Sequence, residues 1–242
     1  MTQVLPAIIP RTKEQLEEEV RRVAGFASLI QVDISDGLFT PIKTWPYNGR
    51  DGEFFEQLKA QEAGWPRWED VDVEIHLMIK DPENTVLDWI HTGVSAVVAH
   101  IEATENFQKV IDICRENLVS IGVAIKPSTD IEKIKPFVDG VYPVRSPEGS
   151  QGEFTSNGVD FIQVMGSDAL GKHDVPLDPK AITLISKLHE LYPERIIAID
   201  IGVNEDTAET LVDAGATKLI SGGAILETAN PEEVFRSFES IG

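Results

Sequence analysis

Eight short apolar runs, rich in β-branched residues, alternate with stretches whose apolar positions repeat at helical spacing. The runs lie at residues 4–9, 28–33, 72–78, 95–100, 119–125, 159–165, 195–200 and 217–221. Near-continuously apolar strands are covered on both faces, and strands alternating with helices run parallel. Two architectures satisfy that pattern, a closed barrel and an open doubly wound sheet. Eight strand–helix pairs in 242 residues match the usual length of one barrel. The expected fold is therefore an α/β, single-domain (β/α)8 TIM barrel spanning residues 1–242.

The intervening stretches carry helix punctuation. Thr12 with Gln15 three residues later forms a capping box, and Leu16, Val20 and Val23 follow on one face. Further helices are expected at 53–63, 82–92 (opened by Asp81-Pro82), 104–117, 130–136, 179–191, 205–214 (closed by Gly215) and 231–238. Two segments break the rhythm. One, at 45–68, opens with Trp45, Pro46, Tyr47, Asn48 and Gly49. The other, at 140–158, holds Pro143, Pro147, Gly149 and Gly152. Irregular stretches of that length in a compact domain are functional or mobile.

Three of the runs deliver an ionisable group at or near their ends: Asp33, His76 and Asp200. A buried strand gains nothing from such a group unless it is paired, binds metal or does chemistry. At the carboxyl mouth of a barrel, strands two and seven face each other across the axis. Asp33 and Asp200 are then placed to act as general base and general acid on opposite faces of a substrate. A single Asp at a strand end is often only a cap or an ion-pair partner. Two of them with an imidazole favour function. The same three residues are hard or borderline metal ligands, and Gln31, two residues before Asp33 on the same strand face, is a candidate fourth. A metal beside a substrate carbonyl stabilises an enediolate.

His100 and Glu102 share a face at the end of the fourth run, either reaching the mouth behind the other three groups or forming a simple hydrogen-bonded pair. Gly202 after the seventh run and Gly222-Gly223 after the eighth fit a phosphate site, because barrels often hold phosphate there. His91 and His189 read as helix-surface residues.

Composition narrows the partners. A net charge of −20 repels nucleic acid and anionic membrane surfaces. It leaves room for a small anionic substrate held by backbone amides. Hydrophobic residues make up 42%, and the longest apolar run, 119–125, is strand-sized, so a core is expected and a membrane span is not. Residues 1–5 lack the basic region and cleavage site of a signal peptide, and the lone Cys114 has no internal disulfide partner. The expected setting is a reducing cytoplasm.

These segments, in order, resemble the ribulose-phosphate 3-epimerase family over almost the whole chain. Val32-Asp33-Ile34-Ser35-Asp36-Gly37-Leu38-Phe39-Thr40-Pro41 is similar to its V-D-V-M-D-G-x-F-V-P. Glu74-Ile75-His76-Leu77-Met78 resembles D-V-H-L-M, and His100-Ile101-Glu102-Ala103 resembles H-x-E-A. Gly122 to Thr129 is similar to G-x-A-I-K-P-G-T, and Gln163-Val164-Met165 to V-x-V-M. Ile199-Asp200-Ile201-Gly202-Val203 resembles V-D-G-G-I, and Ser221-Gly222-Gly223-Ala224-Ile225 resembles A-G-S-A-I.

The resemblance implies a barrel that interconverts D-ribulose 5-phosphate and D-xylulose 5-phosphate. It implies Asp33 and Asp200 as acid/base pair and metal ligands, with His76 as a third ligand. Met78 and Met165 would pack against the reacting carbons, and Gly202, Gly222 and Gly223 would hold the phosphate. The metal would be divalent zinc, iron or manganese, and family members are often homo-oligomers.

The chain also departs from the pattern. Gln31 stands where the family has His, Pro10 where it has Ser, and Ser35 where it has Met. The family's glycine-rich clasp N-P-G-F-G-G-Q is replaced by Gly166 to Asp174, where Lys172 offers charge in place of amides. These changes keep two alternatives open: an epimerase or isomerase of another phosphosugar, and a barrel that binds a phosphosugar without turning it over.

Overall fold

The computed structural model describes residues 2–140, 158–171 and 175–242. The irregular segment expected at 140–158 thus lies almost wholly outside the described residues, and so does Lys172.

The strands are β1 (Gln3–Ile8), β2 (Leu29–Ser35), β3 (Asp72–Met78), β4 (Ala96–His100), β5 (Ser120–Ile125), β6 (Phe161–Met165), β7 (Ile196–Asp200) and β8 (Lys218–Ser221). All pair in parallel in chain order, and β8 returns to β1 with Gln3 opposite Lys218 and Pro6 opposite Ser221. That last pairing closes the sheet and removes the open-sheet alternative. The outer helices are α1 (Lys13–Val23), α2 (Gly52–Lys59), α3 (Val86–His91), α4 (Phe107–Glu116), α5 (Lys135–Asp139), α6 (Pro179–Leu191), α7 (Ala208–Asp213), α8 (Gly223–Leu226) and α9 (Pro231–Glu239). No described helix is long and apolar enough to cross a membrane.

Helix ends differ from expectation where local polar groups intervene. Thr12 caps α1 by accepting from Gln15 N, but the Gln15 side chain accepts from Arg11 N, one residue before the cap. The 82–92 helix begins as a 3-10 turn, Pro82–Asn84, because Thr85 N bonds back to Pro82 O and Thr85 leaves helical φ at −129°. The 205–214 helix loses its first turn to Asn204, whose side-chain oxygen accepts from Asp206 N and Thr207 N. The 53–63 helix stops at Lys59, before Gln61 at φ +58°.

The 45–68 segment is anchored by aromatic packing. Trp45 is fully buried, with ring centroids 5.6 Å from Phe54, 6.0 Å from Trp65 and 6.2 Å from Trp89 of α3. Its indole N–H donates to Asp51 O at 3.0 Å, satisfying the polar atom that burial would otherwise leave alone. Inside the barrel, below the mouth, Lys218 Nζ meets Glu74 Oε2 at 2.5 Å and lies 4.2 Å from the centre of the Phe161 ring. Phe161 fits because its neighbour is Gly122, where a Cβ would stand 2.3 Å from Phe161 Cε2. Gly122→Ala should therefore destabilise the fold by about 2–3 kcal/mol through overpacking, read by urea unfolding. An unchanged midpoint would show that the ring has room to move.

Candidate active site

Parallel register sets the site. Asp33 on β2 is opposite His76 on β3, and Asp200 on β7 is opposite Met165 on β6. Asp33 Oδ1 lies 3.0 Å from His76 Nδ1, and Asp200 Oδ2 approaches the same nitrogen at 3.6 Å from the far side of the barrel. The residues are 4%, 0% and 7% exposed in the order Asp33, His76, Asp200, and their candidate donor atoms all lie within 4.8 Å of one another. The expected convergence of two acids and an imidazole is present.

Two carboxamides complete the cluster. Gln31 Nε2 donates to Asp33 Oδ1 at 2.9 Å and lies 3.5 Å from His76 Nδ1. Gln163 Nε2 lies 3.4 Å from that nitrogen. Both side-chain oxygens, Gln31 Oε1 and Gln163 Oε1, are buried without a hydrogen-bond partner. A buried carbonyl oxygen left unpaired costs free energy, and rotating the carboxamide exchanges N for O at nearly the same point. Two carboxylates, one imidazole and two such oxygens fit a hard or borderline divalent cation.

Sequence reading missed Gln163. Its one signal is its place two residues before Met165, on the same inward face. It likewise missed the Glu74–Lys218 pair, whose members are 144 positions apart.

A proton-ordering chain backs His76. Glu102 Oε1 accepts from Lys126 N at 2.8 Å and from Thr129 Oγ1 at 2.6 Å. Glu102 Oε2 faces His100 Nδ1 at 3.0 Å, and His100 Nε2 faces His76 Nε2 at 3.1 Å. Burial works against charge on Glu102, but the bonds from His100, Thr129 and Lys126 outweigh it and hold its pKa at about 2. Burial, reinforced by the charge of His76, pushes His100 down to about 4. His100 is thus neutral, donates from Nδ1 and accepts at Nε2 from His76 Nε2–H. His76 Nδ1 is left as the atom that faces the acids. Burial pulls the His76 pKa down, but the Asp33 hydrogen bond and the charges of Asp33, Asp200 and Glu74 raise it overall. Asp200 is driven up to about 7, first by burial and then by the charge of Asp33.

A mouth of about 400 Å³ lies above the cluster. Asp33, Asp200, Met78 and Met165 line it, as do Gly202, Gly222 and Gly223. Gly202 has φ +77°, and a Cβ there would meet Leu177 Cβ at 3.0 Å. Glu227 also lines this wall. Met78 and Met165 belong to one apolar cluster with Leu170 and Phe39. Ser35 is buried at the end of β2, its N–H bonded to Thr44 Oγ1 at 2.9 Å. His91 and His189 lie on helices and both are exposed, as expected, His91 at the end of α3.

Comparison with known proteins agrees with this geometry. The chain is 27% identical over 232 residues to the ribulose-phosphate 3-epimerase of Schizosaccharomyces pombe, covering 96% of this chain and 90% of that protein. It is 25% identical over 233 residues to that of Bacillus subtilis, covering 93% and 92%. Among solved structures, 3-hexulose-6-phosphate synthase from Salmonella typhimurium shares the fold with TM-score 0.68 and 15% identity, covering 100% of this chain and 98% of that one. The KGPDC of Streptococcus mutans does so with TM-score 0.67 and 13% identity, covering 99% and 96%. The profile of the Ribulose-phosphate 3 epimerase family matches residues 3–226. With a barrel closed in the expected order and two acids meeting one imidazole at its mouth, the chain belongs to the ribulose-phosphate 3-epimerase family.

Proposed function

We propose that this protein is a phosphosugar epimerase acting on D-ribulose 5-phosphate and D-xylulose 5-phosphate. The observation that carries the reading is the approach of Asp33 and Asp200 to His76 Nδ1 from opposite sides of the barrel, at 3.0 and 3.6 Å. One carboxylate removes the proton from C3, and the C–H electron pair moves into the ketone to give an enediolate. The other acid returns a proton to the opposite face of C3. Two acids whose environments push their proton affinities apart suit that division of labour. Asp200, raised to about 7, is the natural proton donor near neutral pH.

His76 Nδ1, aimed by the His100–Glu102 chain, holds the two acids in register. Asp33, His76 and Asp200, with the oxygens of Gln31 and Gln163, would hold a divalent metal. When bound, such an ion supplies positive charge for the developing enediolate oxygens. Met78 and Met165 keep water from the reacting carbons. The turns at Gly202 and Gly222-Gly223 offer amides to a phosphate group. A reducing cytoplasm suits Cys114, a buried thiol that burial pushes up to about 12 and leaves unreactive.

The test is incubation with ribulose 5-phosphate in D₂O, with and without added Mn²⁺ or Zn²⁺. Deuterium should enter at C3 as xylulose 5-phosphate accumulates. No exchange under any of these conditions would defeat the assignment.

A further inference from the structure

Next to the mouth lies a second cleft, of about 740 Å³, built by the loops after β1, β2 and β6. It shares Ile9 and Gly171 with the mouth. Its charged lining residues are Arg11, Lys43 and Arg50, and no carboxylate lines it among the described residues. None of the three cations belongs to an ion pair among the described residues. That is unusual company in a chain of net charge −20. The mouth has the opposite character. Its described lining contains Asp33, Asp200 and Glu227 and no Lys or Arg.

The cleft is also held in shape. Asn48 joins the two arginine-bearing loops, donating from Nδ2 to Arg11 O at 2.7 Å and accepting at Oδ1 from Arg50 N at 3.0 Å. The aliphatic stem of Lys43 rests over Gly37, where a Cβ would stand 2.7 Å from Lys43 Cγ. Thr44 N bonds to Ser35 O at 3.0 Å, tying this wall to the strand that carries Asp33. The β6 loop closes onto Ile42 at Gly171, where a Cβ would meet Ile42 Cγ1 at 2.9 Å.

We propose that this cleft binds a phosphate group of the substrate. The inference rests on the phosphosugar reading above. A phosphate carries charge of the sign the cleft attracts, and cations without partners have no competing carboxylate to be displaced. The phosphate has two sources: the single phosphate of a ribulose 5-phosphate-like substrate, which would then sit here instead of at the glycine turns, or a second phosphate on a bisphosphorylated sugar whose first sits at those turns.

Calorimetric titration with ribulose 5-phosphate and with ribulose 1,5-bisphosphate separates them. The protein is compared with the triple variant Arg11→Gln, Lys43→Gln, Arg50→Gln. A control triple, Lys109→Gln, Lys180→Gln, Lys187→Gln, makes the same change in net charge on the outer helices. Loss of about tenfold in affinity for both ligands in the first triple, and not in the control, places the substrate's own phosphate in the cleft. Loss of about tenfold for the bisphosphate alone places a second phosphate there. Equal affinities in the wild type and the first triple for both ligands, equal losses in both triples, or no binding of either ligand, overturn the proposal. The readout is binding, so a protein that binds through the cleft but fails the C3 exchange test would refute the epimerase reading and leave the anion site standing.

Discussion

Asp33→Asn should lower kcat/KM for epimerisation by about 10²–10⁴, the usual worth of a positioned acid or base. The substitution keeps shape, and the new amide oxygen still accepts from Gln31 Nε2, so folding is spared. The informative readout is asymmetry. In the proposed reaction Asp33 and Asp200 address opposite faces of one carbon, so each would remove the C3 proton from a different epimer. With saturating Mn²⁺, the variant should still wash deuterium into one epimer at C3 while exchange from the other collapses. Equal loss from both epimers would mean that Asp33 acts only through the shared electrostatics of the cluster, not as one of two separate bases.

Asp200→Asn should do the reverse to stability. In chelator-treated protein it should raise unfolding free energy by roughly 2–4 kcal/mol above pH 7. The sign follows from proton binding. Asp200 titrates near 7 when folded against an ordinary 3.8, so between those values the folded state holds a proton that the unfolded chain has released. Stability is therefore lost as pH rises from about 4 to 7, then levels off. The amide removes that penalty and keeps an acceptor for Ile201 N, which now bonds Asp200 Oδ1 at 2.8 Å. The gain should be small near pH 4, grow through pH 7 and then plateau, in urea titrations across pH. A gain independent of pH would place its origin in packing instead. Activity should be lost in the same variant, a trade of function for stability common at strained sites.

The barrel is legible because its strands bury both faces and each ends in a recognisable break. The apolar run 72–78 coincides with β3, and the other runs differ from their strands by no more than two residues at either end. Helix ends are less legible, since Thr85, Asn204 and Gln61 decide them by local bonds and backbone angles that periodicity does not register. At the site, Asp33, His76 and Asp200 announce themselves as ionisable groups at strand ends. Gln163 does not, because an uncharged polar residue within an apolar strand carries no sign of what it will face. Nor does the cleft, whose cations come from two separate loops and converge only once Asn48 joins them.

The burial of Trp45 among Phe54, Phe55, Trp65 and Trp89 has a practical corollary for redesign. One jaw of the barrel rim arrives as a prefabricated cassette, with its anchors partly in the inserted segment and partly in α3. Transplanting that segment into a sister barrel should succeed only if a counterpart of Trp89 travels with it. Shortening it would undo the seat of Arg50 long before it disturbed the strands beneath.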